Sequence, residues 1–512
     1  MFVKSSRMRR AVIAIVLLPR LASAASIQGI VVEHFSGRPL ARAEVKLAAL
    51  GSPGTAGGEI KTRANTVGQF LFSGLGVGAY LLTASRTGFA ELRYGQKTWK
   101  AAGAPIVLAE PECHYVAELR LRRLGAVAGM VWDENQVGLP EQDVIVYEAT
   151  RPPKMAARGK TDDRGVYRVG GLEPGRYYVR TRGRMMDEGS GAMPTFFKDV
   201  TPVEQARTVE VDLDQQTDDV NIQPAFGRLY RVAGQAVAPP RSGPVTVELV
   251  SDMGPVPGSV DSSGRFAFDQ LAPGIYEITA AADAPWREKL GVYAKLSVDK
   301  DLDGMRFQLT QEPEFHIQFE EKGGRLVDPK TVALWARRKS LAGEEPARHI
   351  RPQEDPLPPG TWEVSAAPPP DFYVARITGD RGDLESRAAN GWKEFLLPPG
   401  GHTRVEVELS SAIAALHARV TASMDQPAGA APIFLEPVEL EAGAGLVALR
   451  TTRTDLQGRY RFSGLPPGRY RVLSSFDFER PSAEDMEAAR ADEVSLKESS
   501  DANHDLQLFI AP

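Results

Sequence analysis

Along the whole chain, apolar residues alternate with polar ones over short stretches, and the stretches come in pairs joined by turn residues. Tyr460 and Phe462 fall two apart, as do Phe70 and Phe72, Tyr167 and Val169, and Phe266 and Phe268. Period two puts such residues on one face of a β-strand. Each run follows an acidic or amide residue and a glycine at a fixed separation: Asn65 and Gly68, Asp162 and Gly165, Asp261 and Gly264, Asp455 and Gly458. A short Asp or Asn side chain folds back onto the following amides, and Gly tolerates positive φ, so the spacing predicts a strand-linking turn. Leu75, Leu172, Leu271 and Leu465 stand seven residues after these glycines, with Tyr80, Tyr177, Tyr276 and Tyr470 five further on. The intervening Leu-x-Pro-Gly-x-Tyr predicts a second turn, with Pro presetting φ and Gly in the left-handed position of a type II turn. The first copy has Val77 for Pro and keeps Gly78.

A further copy is damaged. Leu357, Pro359, Gly360 and Trp362 keep the Leu-to-aromatic spacing, but the Asp-x-x-Gly turn before them is lost. Upstream of each signature lies an opening pair of strands. Gly129-Met130-Val131 with Val144 to Tyr147, Gly234-Gln235-Ala236 with Val245 to Val250, and Ala418-Arg419-Val420 with Ile433 to Leu435 match the start of the first unit. An opening hairpin, a signature hairpin and closing strands make about seven strands per unit, the count of a Greek-key sandwich. The fold class expected is all-β, with five tandem sandwiches at 25–122, 123–226, 227–311, 312–410 (the degenerate copy) and 411–512. A period of about a hundred residues is too long for a solenoid, so each unit should have its own core. The boundaries near Arg123, Gly227, Glu312 and Ser411 should then be exposed, protease-sensitive joints. Helical periodicity is confined to Ser482 to Ala491.

Composition supports this pattern. A chain of 512 residues with 42% hydrophobic content can bury several cores, and 48 Gly with 38 Pro suit many short strands and tight turns. Lys4, Arg7, Arg9 and Arg10 precede an apolar run from Ala11 to Leu18 and the small residues Ala22-Ser23-Ala24. Residues 1–24 therefore read as an export signal cleaved after Ala24 or Ala25, and Arg20 spoils the run as a membrane span. Its removal takes five basic residues and no acid, changing the net charge from −5 to −10. A mildly acidic surface argues against nucleic acid and against anionic membrane. Cys113 is the only cysteine, so no intramolecular disulfide forms, and it is expected as a buried strand residue. The expected location is secreted, periplasmic or cell-surface, without membrane insertion after signal cleavage.

The combination Gly-x-Val, Pro-x-x-x-x-Val-x-Leu, Thr-Asp-x-x-Gly-x-Phe and Leu-x-Pro-Gly-x-Tyr resembles the carboxypeptidase regulatory-like domain, a transthyretin-like sandwich of exported bacterial proteins. The resemblance covers nearly all of the chain after residue 24, is clear in four units and weak in the fourth. It implies a prealbumin-type sandwich related in fold to starch-binding-like domains and to the B-type repeats of collagen adhesins. The family is named for a domain appended to zinc carboxypeptidases, and the name implies no activity here. The B-repeat relationship raises self-formed isopeptide crosslinks, which need a buried Lys, an Asn and an acid. Lys46 lies in the right kind of strand, but no other unit repeats it.

No catalytic constellation emerges. The seven histidines lack the His-x-x-Glu or His-Glu-x-x-His spacing that brings two ligands to one zinc ion, and no Gly-x-Ser-x-Gly elbow is present. Gly159-Lys160-Thr161 imitates the end of a phosphate loop, but Lys154 stands where the first Gly should be. Asp299, Asp301 and Asp303 before Gly304 have the opening spacing of a calcium loop, yet Thr310 occupies its twelfth position. A structural linker is expected there, with no metal and no cofactor. A second group of candidates is aromatic: Tyr94, Trp99, Phe196, Phe197, Trp286, Tyr293 and Trp392 lie in the longer segments after the Tyr or Trp strand. They either stack on sugar rings or pack between sandwiches, and packing is the more frequent fate of large aromatics. The function expected is a non-catalytic exported binding or spacer protein of the envelope or exterior. The alternatives are a carbohydrate-binding protein that uses these aromatics, and an accessory subunit of an envelope enzyme or transporter. A glycan or another envelope protein would be the partner.

Overall fold

The computed structural model describes residues 25–511 apart from 51–57, 100, 151–152, 188, 285–288, 312, 352–353, 380–381, 384–391, 423–424 and 441–448. The stretch read as an export signal, Trp286 and the expected joint residue Glu312 lie outside the described residues. In each unit the described strands form a two-sheet sandwich. In the first, Ala25–Glu33 pairs antiparallel with Gln69–Leu75 and parallel with His114–Leu121. The facing sheet centres on Glu44–Leu50, between Glu59–Arg63 and Gly78–Ser85. Ile27, Val31, Leu47, Phe72, Leu82 and Leu119 fill the space between them.

The same plan recurs. An opening strand lies between a signature strand, antiparallel to it, and a closing strand, parallel to it. Gly125–Met130 sits between Val166–Leu172 and Gln216–Thr217, and Tyr230–Val237 between Arg265–Leu271 and Leu302–Gln308. Ala414–Thr421 sits between Arg459–Leu465 and Asp501–Asn503. A parallel first-to-last pairing requires the chain to cross between sheets, as in Greek-key sandwiches. The fourth repeat keeps the parallel pair, Glu314–Glu321 with His402–Ser410, but among the described residues no signature strand joins its sheet. Among the described residues only the two-residue Arg325–Leu326 lies on that side, and Tyr373–Gly379 joins the far edge. With the Asp-x-x-Gly turn lost, the chain does not reverse onto the opening strand.

The signature turn has one geometry throughout. Asp455 Oδ1 accepts the amides of Gln457 and Arg459 at 2.9 and 2.8 Å, and Asn65, Asp162 and Asp261 accept the corresponding pairs. Gly458 has φ +75°, and a Cβ there would lie 2.6 Å from the Val420 carbonyl oxygen; the other three glycines press on their opening strands in the same way.

The second turn differs from expectation. Gly175 and Gly274 have no positive φ, while Gly78 and Gly468 are near extended, at +158° and +151°. The left-handed residue is instead the one before the Leu: Gly74, Gly171, Gln270 and Gly464, at φ +74°, +82°, +61° and +65°. There the pairing with the opening strand shifts register, so the feature is a β-bulge that bends the signature strand away. The following aromatic closes the loop. Tyr80, Tyr177, Tyr276 and Tyr470 each donate a hydroxyl to the carbonyl four residues earlier, at 2.7–2.8 Å, and Trp362 Nε1 does so in the fourth repeat.

The helix from Ala483 to Ala488 falls where periodicity predicts it. Ser482 Oγ accepts the Asp485 amide and the Asp485 carboxylate accepts the Ser482 amide, so both ends of a capping box are present. Met486 packs with Phe434 and Leu473 in a small satellite core.

Successive repeats are tied together. Arg122 pairs with Asp214 at 2.7 Å, Phe226–Arg228 pairs with Ser190–Ala192, and Glu277 accepts the Leu341 amide at 3.1 Å. Ser411 Oγ bonds Glu321, and Gly464 abuts the Pro370 carbonyl. The fifth repeat also returns to the first: Arg93 pairs with Glu479 at 2.6 Å, Lys97 lies 3.8 Å from Asp477, and the Ala102 amide donates to Phe476 O at 3.1 Å. The repeats form a closed circuit.

Candidate functional site

The aromatic candidates divide by position, and most have their faces or polar tips engaged. Phe196 is fully buried, with Tyr178 edge-on at 6.0 Å and the Arg180 guanidinium 4.9 Å from its ring. Phe197 packs against the second core and carries Lys198 4.6 Å from its ring. Tyr94 packs on the first core and bonds the Tyr115 hydroxyl at 2.7 Å. Tyr293 donates to the buried Glu277 at 2.7 Å, and Trp392 is capped by Arg337 at 4.4 Å. Trp99 is half-buried with its Nε1 enclosed and unpartnered. It lies between Lys97 and Ala102, in the stretch that meets the fifth repeat. The six described positions are not brought together into one surface.

The acidic loop is spoken for by arginine. Asp301 accepts the Arg231 amide at 3.0 Å and lies 3.5 Å from Arg228, while Asp303 lies 3.8 Å from Arg231. Gly304, at φ +68°, makes the bend into the closing strand. Lys46 is partly exposed, with Nζ 3.5 Å from Glu44 and 4.0 Å from Glu91. Cys113 is half-buried against the first core.

A concavity of about 820 Å3 lies elsewhere, between the second and third repeats. Its floor is the outer face of the second repeat's sheet. Arg158, Ile145 and Arg180 stand in register across three strands, and Met155, Tyr147 and Tyr178 form the next row on that face. Met253, Tyr276 and neighbouring turn residues of the third repeat form the opposite wall. Phe196, Tyr147 and Met253 make a buried apolar cluster at its base. Burial pushes the Arg180 guanidinium below its ordinary range, with Asp252 opposing, and burial raises the Tyr147 phenol. Reading the repeats one at a time misses this cleft because two of them build it. A signal was available: Ile145, Tyr147 and Tyr178 occupy the face opposite the core residues Val144, Val146 and Val179, where alternation expects polar side chains.

Residues 26–107 match the model of the carboxypeptidase regulatory-like domain. That is the first repeat, even though it is the copy with Val77 in place of Pro. No curated protein matches the chain. Among solved structures, GBS52, the minor pilin of Streptococcus agalactiae, is 13% identical over 39% of this chain and 95% of its own, with a TM-score of 0.26. The shaft pilin SpaA of Lactobacillus rhamnosus GG is 9% identical over 40% and 98%, with a TM-score of 0.22. BcpA, the major pilin subunit of Bacillus cereus, is 11% identical over 76% and 99%, with a TM-score of 0.15. Similarity at this level bears on neither activity nor assembly. Among the described residues, no helix is long and apolar enough to cross a membrane.

Proposed function

We propose that the protein is a non-catalytic, exported binding scaffold of the cell envelope or exterior, a closed body rather than an extended spacer. The observation that carries this reading is the seam between Arg93, Lys97 and Ala102 of the first repeat and Phe476, Asp477 and Glu479 of the fifth. A spacer gains reach only when its ends are apart. The recurring side chains support the same reading, because the turn carboxylates and the signature tyrosines are all committed to backbone groups of their own repeat. Residues 1–24, basic and then apolar, support export.

Small-angle X-ray scattering tests the reading directly. With about 13 Å for the radius of gyration of one hundred-residue domain, five in a closed circuit give about 30 Å and five in a line roughly 50 Å. A value near 30 Å is expected. A value near 50 Å would return the protein to the spacer class.

A further inference from the structure

The cleft between the second and third repeats holds charged groups that the protein itself leaves without partners. The Arg180 side chain makes no hydrogen bond or ion pair among the described residues; its Nε is enclosed without an acceptor, and its charge rests on the Phe196 ring. Asp252 is the acid whose field acts most on Arg180, yet the two form no ion pair. Arg158, one strand beyond Ile145 in the same row, also lacks a carboxylate partner among the described residues, and the Tyr147 hydroxyl bonds no protein group there. An enclosed guanidinium N–H without an acceptor is costly, and native structures hold one where something else meets it. At about 820 Å3 the cleft has the size of a small-molecule site, lined in nearly equal measure by apolar and by polar or charged groups.

We propose that this cleft binds a small ligand through a carboxylate, held by the Arg158–Arg180 row and the Tyr147 hydroxyl, with the ligand's apolar body against Met253 and Tyr276. The planar guanidinium fork matches a carboxylate in shape and charge. Asp143, Glu204 and Asp252, together with Asp269, which pairs with Arg231, share the lining with the three arginines Arg158, Arg180 and Arg182, so a singly charged anion is accepted where a phosphate dianion is repelled. The carboxylate comes either from a free organic acid or from a peptide C-terminus, and both sources fit the site's chemistry.

Calorimetric titration of the full chain separates these cases. The probes are indole-3-acetate, indole-3-acetamide, the tripeptide Ala-Ala-Phe with a free or an amidated C-terminus, and phenyl phosphate. At least one acid is expected to bind about tenfold or more tightly than its amide, and the acid that binds identifies the source. Phenyl phosphate should bind more weakly than that acid. Arg180→Met and Arg158→Gln should reduce acid binding to the level of the amide while circular dichroism stays unchanged. Should Arg180→Met fail to fold, Arg158→Gln on the neighbouring strand carries the test. The proposal is overturned if neither acid saturates at millimolar concentration, if acid and amide bind alike, if phenyl phosphate binds the tightest, or if folded variants bind as the parent does. None of these outcomes depends on whether the repeats close into a circuit.

Discussion

Gln270 is the one non-glycine residue among the four left-handed bulge positions, at φ +61°. An L side chain there costs roughly 1–2 kcal/mol, partly offset by the chain entropy that Gly would add to the unfolded state. Gln270→Gly is therefore expected to raise stability by about 1 kcal/mol in denaturant titration; a loss would mean that the side chain supports the cleft wall. The signature tyrosines set a second expectation. Burial raises the phenols of Tyr177 and Tyr276 from about 10 to about 12. Above pH 10 the unfolded chain releases these protons while the folded chain keeps them, so their stabilisation is complete below pH 10 and is lost as pH rises through 12. Tyrosinate absorbance should show a late-ionising fraction that appears together with loss of β-sheet dichroism. Ionisation of all tyrosines near pH 10 with the sheet intact would contradict it. The turn residues were legible at this scale because Asp, Asn and Gly act on their immediate neighbours. The bulge was not, since the Pro-Gly pair drew the left-handed conformation to the wrong glycine.

At the scale of strands and sheets, alternation located the opening, signature and closing strands, and helical periodicity over Ser482 to Ala491 located the helix. The fourth repeat shows the limit. Its aromatic spacing survives, but the loss of one turn removes a strand from the sheet and brings Tyr373–Gly379 to the opposite edge, an exchange that no local pattern encodes. The seam before this repeat is also invisible in sequence. Glu277 is 3% exposed, accepts the Tyr293 hydroxyl and the Leu341 amide, and lies 3.6 Å from Lys295. Its removal strands two donors while Lys295 stays solvated, so Glu277→Ala should cost about 2 kcal/mol. A double-mutant cycle with Tyr293→Phe should show coupling of about 1 kcal/mol between the two side chains. A cost below about 0.5 kcal/mol would mean that water replaces the carboxylate at that seam.

Across the whole molecule, the closing contacts join residues nearly four hundred positions apart, and their charges are unevenly matched. Glu479 and Asp477 face Arg93 and Lys97, while Arg453, desolvated nearby, is pushed further below its ordinary range by Arg93. Exposed ion pairs of this kind are worth about 0–1 kcal/mol each, so screening them leaves the Ala102–Phe476 main-chain bond and the buried Ala101 and Ala102 in place. The parent protein should keep its radius of gyration as salt is raised. Glu479→Lys is different, because it sets a fourth cation among Arg93, Lys97 and Arg453 and turns a weak attraction into repulsion. At low ionic strength, where screening extends over about 30 Å, the variant should open and its radius should rise from about 30 Å toward roughly 50 Å. At about 0.5 M salt the repulsion is screened, and the tether between the ends favours reclosure. Scattering at the two salt concentrations reads both effects. A parent protein that opens in high salt, or a variant that stays closed in low salt, would show that the seam is not held in this way.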